Sequence, residues 1–351
     1  MTAEPFTRPA RDARQVLADA AAVTGPAVRE AVTRLPHRIR HPVGMHFGWW
    51  DTDGTELSAV TGTGKSVRPA LTLGACAAVG GSRSAGVAAA VAVELVHNAS
   101  LLHDDIIDGD LTRRGRPTLW ARMGVPAAVL AGDALFFLAV HVLATAQPPM
   151  DTSAGVAVLT ASVQELIEGE YTDTLLEGEG GTGASLKEVQ AMAAGKTGAL
   201  MAAACALGAL AGGGDEPRVA HLRAFGAHLG AAFQLVDDLL SIWGDPQRTG
   251  KPAGSDLAAR KRSLPIAAAL GADDPAAQQL RALYACPGPL SSAEQELTAR
   301  LVEQAGGRAW ARHECERHTR QALERLHGAR PEPGAGAELT ALARLLTTRD
   351  H

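Results

Sequence analysis

The sequence predicts an all-α fold, and three observations support this prediction. Only 4% of the 351 residues are aromatic, and alanine, glycine and leucine are abundant, which favours closely packed helices over a β-sandwich or a barrel. Helix start and stop signals recur along the chain. Convincing alternating strand patterns are absent. We therefore expect a bundle of helices.

The N-terminal region combines helical segments with the least regular stretch of the chain. Residues His41–Gly62 contain the turn-like Asp51–Gly54, and we expect this stretch to be a loop. No shift in composition marks a second domain. We expect one domain overall, with N-terminal helices and an irregular loop over residues 1–62 and the core over residues 63–351.

Proline, glycine and capping residues indicate where the later helices begin and end. Pro148-Pro149 separates two helices. Ser185–Glu188 is a capping box that opens a helix running through Lys196 and ending at Gly212–Gly214, and Ser292 with Gln295 marks another start. Gly178–Gly183 is expected to be a loop. Pro331–Gly336 precedes a last short helix that carries four leucines, Leu339, Leu342, Leu345 and Leu346.

Composition limits the partners and the compartment. A formal net charge of -5 argues against nucleic acid as a partner. Met1–Arg14 lacks the apolar region of a signal peptide, so we expect the cytoplasm. The best candidate for a membrane span, Thr197–Gly214, is mostly alanine and glycine, and we interpret it as a buried helix, not a transmembrane segment. The four scattered cysteines are interpreted as reduced thiols, Cys76 and Cys205 being buried.

An acidic run at Asp104–Asp108 ends a long apolar segment. If this segment is helical, Asp104 and Asp108 lie one turn apart on one face, with Asp105 beside them. Mg²⁺ suits such a pair, because it takes one or two carboxylates, keeps water and completes its shell with phosphate oxygens. The alternative is a solvated helix end. We prefer the metal site, since the flanking leucines and isoleucines would bury the carboxylates and buried carboxylates need partners.

A second acidic pair, Asp237-Asp238, lies in the apolar segment Phe233–Ser241, where Gln234 and Asp238 share a helix face. Two acidic helix ends far apart in sequence could converge on one metal cluster, or they could be unrelated. Cations could supply the other half of a diphosphate site, since Arg and Lys are its usual ligands. The candidates are Lys65, Arg68, Arg113, Arg114, Lys196 and Lys251. His97 could contact a second ligand beside the metal, or be a hydrogen-bonded structural histidine.

At these residues the chain resembles the trans-isoprenyl diphosphate synthase (polyprenyl synthetase) family, and within it the geranylgeranyl diphosphate synthases. The resemblance covers Gly64 to about Pro265. Its motifs are Gly64-Lys65 with Arg68-Pro69, Glu94 to His97, Asp104-Asp105 with Asp108, Arg113-Arg114-Gly115, Ala131-Gly132-Asp133, Lys196-Thr197, Phe233-Gln234 with Asp237-Asp238, and Gly250-Lys251. Many ordered motifs are far more specific than one aspartate motif alone.

The resemblance implies an all-α fold of the isoprenoid synthase type around a central cavity, a homodimer, and about three Mg²⁺ ions. It implies a prenyltransferase that condenses isopentenyl diphosphate with allylic diphosphates. Metal binding is implied for Asp104, Asp108 and Asp237, and catalytic roles for these three with Asp105 and Lys196. Allylic diphosphate binding is implied for Arg113, Lys196 and Lys251, isopentenyl diphosphate binding for Lys65, Arg68, His97 and Arg114, and further substrate contacts for Thr197 and Gln234.

Two departures from the family pattern stand out. Ser241 replaces the usual third aspartate of the second motif, and Glu170 replaces the usual glutamine ahead of Asp173. Residues four and five positions before the first aspartate often form the floor of the tail pocket, and here they are the small Ser100 and Ala99. We therefore expect geranylgeranyl diphosphate, with longer products left open. The alternative is that both residues only permit close helix packing.

Two other functions are open from sequence. Ser241 with Asp245 also fits a class I terpene cyclase pattern, but a cyclase has no need for isopentenyl diphosphate ligands. A regulatory subunit of a heteromeric synthase would bind a catalytic partner without turnover. Such subunits usually lack the first aspartate motif, which is intact here, so we prefer the synthase.

Overall fold

The structure is a computed structural model that describes residues 11–57, 64–178, 184–245, 255–258, 260–286 and 288–348. Helices dominate these residues, which confirms the all-α prediction. The helices are α1 Ala13–Val32, α2 His37–Phe47, α3 Val67–Ala78, α4 Val87–Ile107, α5 Leu119–Met123, α6 Val125–Ala144, α7 Thr152–Gly178, α8 Leu186–Ala193, α9 Ala199–Ala211, α10 Glu216–Trp243, α11 Ser255–Ala258, α12 Leu264–Leu270, α13 Pro275–Ala285, α14 Ser292–Gln304, α15 Gly307–Gly328 and α16 Pro333–Thr347. A π-helix, Ala194–Gly198, connects α8 to α9.

The internal contacts divide the chain into two compact units. Unit 1 comprises residues 1–163, 203–223 and 326–342, and unit 2 comprises residues 164–202, 224–325 and 343–351. The division falls inside continuous helices, since α7 and α10 contribute residues to both units. The predicted boundary between residues 62 and 63 stays a prediction.

Unit 1 is organised around α4, which packs against α1, α3 and α6. Small and branched apolar residues fill the middle of α4, and Val93, Leu95 and Ala99 are completely buried. A capping box starts α1, because the Asp12 carboxylate accepts a hydrogen bond from the Gln15 backbone N–H at 2.8 Å. Cys76 is fully buried, as predicted.

Unit 2 contains α8 and the helices from α11 to α15, with α12 packed against α8, α13 and α14. The predicted capping box at Ser185 and Glu188 is confirmed as the start of α8. The predicted start at Ser292 with Gln295 is wrong by one residue. The hydroxyl of Ser291 caps α14, with Glu294 completing the box, because only a residue outside the helix can accept from its first backbone N–H groups.

Other boundaries also needed correction. The predicted loop over His41–Gly62 is wrong in its first part, because α2 continues to Phe47 and Trp50 bridges Glu56 beyond it. Residues 58–62 of that loop lie outside the described residues, as do residues 179–183 of the loop predicted at Gly178. The chain also has a short hairpin, with β1 Thr112–Arg113 paired antiparallel to β2 Arg116–Pro117. The last helix begins at Pro333, inside the predicted break.

Within the described part of the chain, two helical stretches are long and apolar enough to cross a membrane by length and composition alone. The stretch Leu186–Ala211 contains most of the candidate weighed from sequence, and 72% of its most apolar window is buried within the protein. The stretch Val125–Ala144 is α6, and 44% of its window is buried. Soluble core helices pass the same test. The cytoplasmic location stays a prediction.

Candidate functional site

The acidic run ends α4 in unit 1, and its three carboxylates have different surroundings. Asp104 is half-buried and Asp108, which caps the helix, is exposed. Asp105 is only 1% exposed and pairs with the guanidinium of Arg113. Burial raises the pKa of Asp105, and Arg113 opposes that rise. The outer pair can therefore serve a ligand while Asp105 anchors an arginine.

The hairpin after α4 carries Arg113 and Arg114. Arg113 also donates to Asp110, at 3.3 Å. Arg114 adopts a left-handed backbone with φ of 54° and precedes Gly115 with φ of 74°, so these two residues form the tight turn between β1 and β2. A Cβ at Gly64 would lie 2.6 Å from Nη2 of Arg114. Glycine at that position lets the guanidinium lie against the backbone before α3.

Two predicted ligands of isopentenyl diphosphate touch each other in unit 1. Nη1 of Arg68 on α3 lies 3.3 Å from Nε2 of His97 on α4. Because a guanidinium only donates, Nε2 accepts and the ring proton lies on Nδ1. Burial lowers the pKa of His97 well below its ordinary value, with Arg68 and Arg114 adding to the shift. His97 is therefore a neutral side chain among cations, while Lys65 is exposed.

The two predicted chain-length residues differ in exposure. Ala99 is completely buried in α4. Ser100 is half-buried and its hydroxyl donates to the His97 carbonyl at 2.9 Å. One turn further, His103 packs on α6 at Gly132, where a Cβ would overlap its imidazole. Helices α4 and α6 are therefore in close contact at His103, and the role of Ala99 and Ser100 as a floor stays a prediction.

Lys196 is the centre of the charged cluster in unit 2. Its ammonium donates to Glu170 at 3.0 Å and to Asp173 at 2.8 Å. Lys261 lies 3.4 Å from the same Asp173 carboxylate. Burial alone would lower the pKa of Lys196, but Asp173 and Glu170 outweigh it and raise that pKa. Burial would raise the pKa of Asp173, and Lys261 and Lys196 lower it.

Two glycines bring the elements of this cluster together. A Cβ at Gly169 on α7 would overlap the backbone nitrogen of Lys196. A Cβ at Gly195 would lie 2.6 Å from the carbonyl oxygen of Glu165. The backbone of α7 therefore touches the π-helix, and this contact sets the Lys196 side chain above the two α7 carboxylates.

A chain of hydrogen bonds fixes the second acidic pair. The Thr197 hydroxyl donates to Gln234 at 2.6 Å, and the Gln234 amide donates to Asp238 at 2.7 Å. Asp238 is 6% exposed and also accepts from the backbone N–H of Leu264 at 2.8 Å. Asp238 therefore joins α10 to α12. Asp237, its neighbour, is half-buried.

Ser241 and Lys251 are the two remaining residues that the sequence singled out. The Ser241 hydroxyl donates to the Asp238 carbonyl at 2.8 Å, within its own helix. Lys251 lies outside the described residues. The sequence reasoning missed Lys261, which no motif distinguished from other surface lysines. It also missed a buried polar cluster around Asn98, although Glu94 and His97 of the quoted motif lie beside it.

Comparisons with known proteins show which proteins this chain is similar to. The family profile described as polyprenyl synthetase matches residues 56–301. The chain is 40% identical over 342 residues to a geranylgeranyl diphosphate synthase of Mycobacterium tuberculosis, covering 97% of this chain and 95% of that protein. It is 41% identical over 327 residues to a (2E,6E)-farnesyl diphosphate synthase of Mycobacterium bovis, covering 92% and 90%.

Solved structures show the same fold. The crystal structure of a polyprenyl synthetase from Streptomyces coelicolor A3(2) matches with a TM-score of 0.90 and 40% identity, over 95% of this chain and 99% of that one. A geranylgeranyl pyrophosphate synthetase from Pyrococcus horikoshii matches with a TM-score of 0.82 and 30% identity, over 96% and 99%.

Proposed function

Because the chain belongs to the polyprenyl synthetase family and is a trans-prenyltransferase, we propose that it condenses isopentenyl diphosphate with an allylic diphosphate to form geranylgeranyl diphosphate. The observation that carries this proposal is the neighbourhood of α4 in unit 1. There the paired Arg68 and His97 accompany the carboxylates of Asp104 and Asp108. A guanidinium and a neutral histidine that bind one diphosphate, together with carboxylates that bind a second diphosphate through a metal, suit a transferase with two substrates.

The carboxylates fit the Mg²⁺ that this family uses. Among the described residues no group of three His, Cys, Asp or Glu side chains encloses a metal. Mg²⁺ does not require such a group, because it binds through one or two carboxylates plus water and phosphate oxygens. By resemblance, we propose that Asp104 and Asp108 in unit 1 bind Mg²⁺ and that Asp237 in unit 2 is also a metal ligand, with about three ions in all. Bound Mg²⁺ would neutralise charge on the departing diphosphate.

Other side chains bind the two diphosphates and stabilise the allylic cation. Lys196 donates hydrogen bonds to the allylic diphosphate as its negative charge grows, with Arg113 and Lys251 assigned to the same group by resemblance. Arg68, Arg114 and Lys65 hold isopentenyl diphosphate. His97, being neutral, adds a directed N–H donor without another charge. Thr197 and Gln234 present oxygen atoms that stabilise the allylic cation.

The chemistry forms one carbon–carbon bond. The bond between the allylic carbon and its diphosphate oxygen breaks, the isopentenyl double bond attacks the cation, and the new chain then loses a proton to the departed diphosphate. Apolar surroundings must keep water away from the cation until the new bond has formed. We propose geranylgeranyl diphosphate as the product because Ala99 and Ser100 are small. The relatives are named for both geranylgeranyl and farnesyl products.

The proposal includes a homodimer that forms through α6. This helix exposes large apolar side chains on one face, with Phe137 78% exposed and Leu130 54% exposed. An exposed apolar stripe of this kind is typical of an interface. The resemblance to a dimeric family suggests a second copy as its occupant.

Product analysis tests the proposed function. Purified protein with Mg²⁺ is given dimethylallyl, geranyl, farnesyl or geranylgeranyl diphosphate, each with and without isopentenyl diphosphate. We expect the three shorter substrates to be elongated to geranylgeranyl diphosphate only when isopentenyl diphosphate is present, and geranylgeranyl diphosphate itself to remain unchanged. A cyclic hydrocarbon formed without it would indicate a cyclase, and no product under any condition would indicate a regulatory subunit. Either result would refute the proposal.

A further inference from the structure

Asn98 is buried in unit 1 at the centre of a polar network that includes none of the predicted ligands. It follows His97 on α4 and is 2% exposed. Its amide nitrogen donates to the carbonyl oxygen of Glu94 at 2.8 Å and to a Glu94 carboxylate oxygen at 3.0 Å. Its amide oxygen lies 3.1 Å from Nε2 of His46 on α2. Both N–H groups of the amide can therefore have a partner, and its oxygen has one as well.

This arrangement fixes the proton on His46. A backbone carbonyl only accepts, so the Asn98 nitrogen faces Glu94 and the Asn98 oxygen faces His46. That oxygen can only accept, and Nε2 of His46 must therefore be the donor. Burial lowers the pKa of His46 to about 3, the hydrogen bond to Asn98 opposes the shift, and Arg114 adds to it. The imidazole is a neutral donor in the folded protein.

The network ends among the cations of the proposed isopentenyl diphosphate site. Glu94 accepts the hydrogen bonds of Asn98 and interacts electrostatically with Arg68 and Arg114. Burial raises the pKa of Glu94, while the hydrogen bond from Asn98 and the two arginines oppose the rise. A carboxylate in this position restrains guanidinium groups most effectively when its own orientation is fixed.

His46 is also tied to the hairpin that carries Arg114. Its carbonyl oxygen accepts from Nη2 of Arg116 at 3.0 Å. Arg116 packs against Gly48, where φ is 76° and a Cβ would overlap the guanidinium. The end of α2 therefore contacts both α4 and the hairpin. A shift of His46 would therefore disturb its contacts with both α4 and the hairpin.

We propose that His46 and Asn98 are positioning residues that hold Glu94 and the hairpin, so that Arg68, His97 and Arg114 keep the arrangement that binds isopentenyl diphosphate. The inference rests on the proposed function. Neither residue touches the substrate. The hydrogen bonds of His46 and Asn98 lead to the isopentenyl diphosphate half of the site. Arg113, the hairpin residue assigned to the allylic diphosphate, is held separately by Asp105 and Asp110. Loss of the network should therefore affect the two substrates unequally.

A pair of matched substitutions tests this. In His46→Gln the amide nitrogen takes the place of Nε2, whereas in His46→Asn the shorter side chain cannot reach Asn98. We expect His46→Asn to raise KM for isopentenyl diphosphate about tenfold, the effect of one lost buried hydrogen bond. KM for the allylic diphosphate should change less than twofold. His46→Gln should restore KM for isopentenyl diphosphate to within about threefold of wild type.

A second substitution and a control keep the test decisive. Asn98→Asp preserves shape but sets a carboxylate against Glu94, and we expect the same selective rise in KM. Ser162→Ala removes another buried hydrogen bond of unit 1, the 2.8 Å bond to the Leu159 carbonyl, and should leave both KM values unchanged. Thermal unfolding of every variant shows whether it folds.

The outcomes separate this inference from the proposed function. A wild-type protein that forms no product with isopentenyl diphosphate would refute both. If the wild type is active, equal changes in both KM values of the His46→Asn variant, or no change in either, would refute the positioning role alone. So would a His46→Gln variant that is as impaired as His46→Asn.

Discussion

The ammonium group of Lys196 is held by both carboxylate oxygens of Glu170, at 3.0 Å and 2.9 Å. The family usually has glutamine at this position. Glu170 is 8% exposed, so its charge is poorly screened and reduces the field that Lys196 can offer to a diphosphate. The departure seen in the sequence therefore acts on a predicted substrate ligand.

Replacing this carboxylate should strengthen binding of the allylic substrate. Glu170→Gln keeps the shape and removes the charge, and we expect KM for the allylic diphosphate to fall about fivefold, since one buried competing charge is lost. This KM is measured from initial rates at saturating isopentenyl diphosphate with varied allylic diphosphate. The control is Glu168→Gln, the same change at an exposed position of α7. An unchanged or higher KM in Glu170→Gln would contradict the idea.

Removing an outer carboxylate of α4 should impair the use of Mg²⁺. Asp108→Asn leaves one carboxylate on that face, and we expect the rate to fall about a hundredfold at fixed Mg²⁺ and the half-saturating Mg²⁺ concentration to rise. Chelation by EDTA should abolish wild-type activity, and added Mg²⁺ should restore it. Asp273→Asn, at an exposed position of unit 2, serves as the control. Normal Mg²⁺ dependence in Asp108→Asn would exclude it as a ligand.

Enlarging the side chain at Ala99 should shorten the product. We expect Ala99→Phe to shift the product from geranylgeranyl to farnesyl diphosphate, because a phenyl ring would close the tail pocket. Ala99 is completely buried, so overpacking costs about 1–3 kcal/mol of stability. Ser100→Phe, at a half-buried position, is the less disruptive companion. Chromatography of the dephosphorylated products measures chain length, and an unchanged product in both variants would refute the floor.

The first aspartate cluster could be predicted from sequence because its members are neighbours on one helix turn, where spacing alone determines geometry. The same is true of Gln234 and Asp238, which the structure joins at 2.7 Å. Lys261 could not be predicted, because its approach to Asp173 depends on how distant segments pack. Long-range contacts of this kind leave no periodic signal.

The sequence predicted a loop from His41, where the structure has the second part of α2, and this difference has another cause. Pro42 and Gly44 lie inside it, and both residues ordinarily weaken a helix. Trp50 packs so closely on Gly44 that a Cβ would overlap its ring, so tertiary packing requires the glycine. The helix continues to Phe47 and ends at Gly48, where φ is 76°. Tertiary packing therefore overrides local helix propensity in α2. The last turn of this helix brings His46 into contact with Asn98.

Acid should destabilise unit 2 through a histidine pair. Nδ1 of His228 on α10 lies 3.1 Å from Nδ1 of His318 on α15, and one of these atoms must accept. Burial lowers the pKa of His318 from 6.5 to about 4, Arg317 and His228 adding to the shift and Glu314 opposing it. Burial also lowers the pKa of His228, with Arg325 and Arg317 contributing and Glu324 opposing.

Proton uptake by the unfolded chain determines whether stability rises or falls with pH. Between pH 6.5 and about 4 the unfolded chain binds a proton at His318 that the folded protein does not, so stability falls as the pH falls. We expect His318 to contribute a loss on the order of 1–2 kcal/mol between pH 6.5 and 5, in addition to the losses from His46, His97 and His228, whose pKa values are also lowered. Urea unfolding at both pH values measures it. The loss should shrink in His318→Gln and persist in His313→Gln, at an exposed position. An equal loss in both variants would contradict this assignment.

A charge on the exposed face of α6 should separate the proposed homodimer. Phe137 is 78% exposed, and we expect wild type to behave as a dimer of the 36.3 kDa chain, whereas Phe137→Glu should sediment as a monomer. The physical reason is that an unpaired carboxylate buried in an apolar interface costs several kcal/mol. Gln279→Glu adds the same charge at an exposed polar position of α13 and should remain dimeric. Analytical ultracentrifugation distinguishes these states, and a dimeric Phe137→Glu would place the interface on another surface.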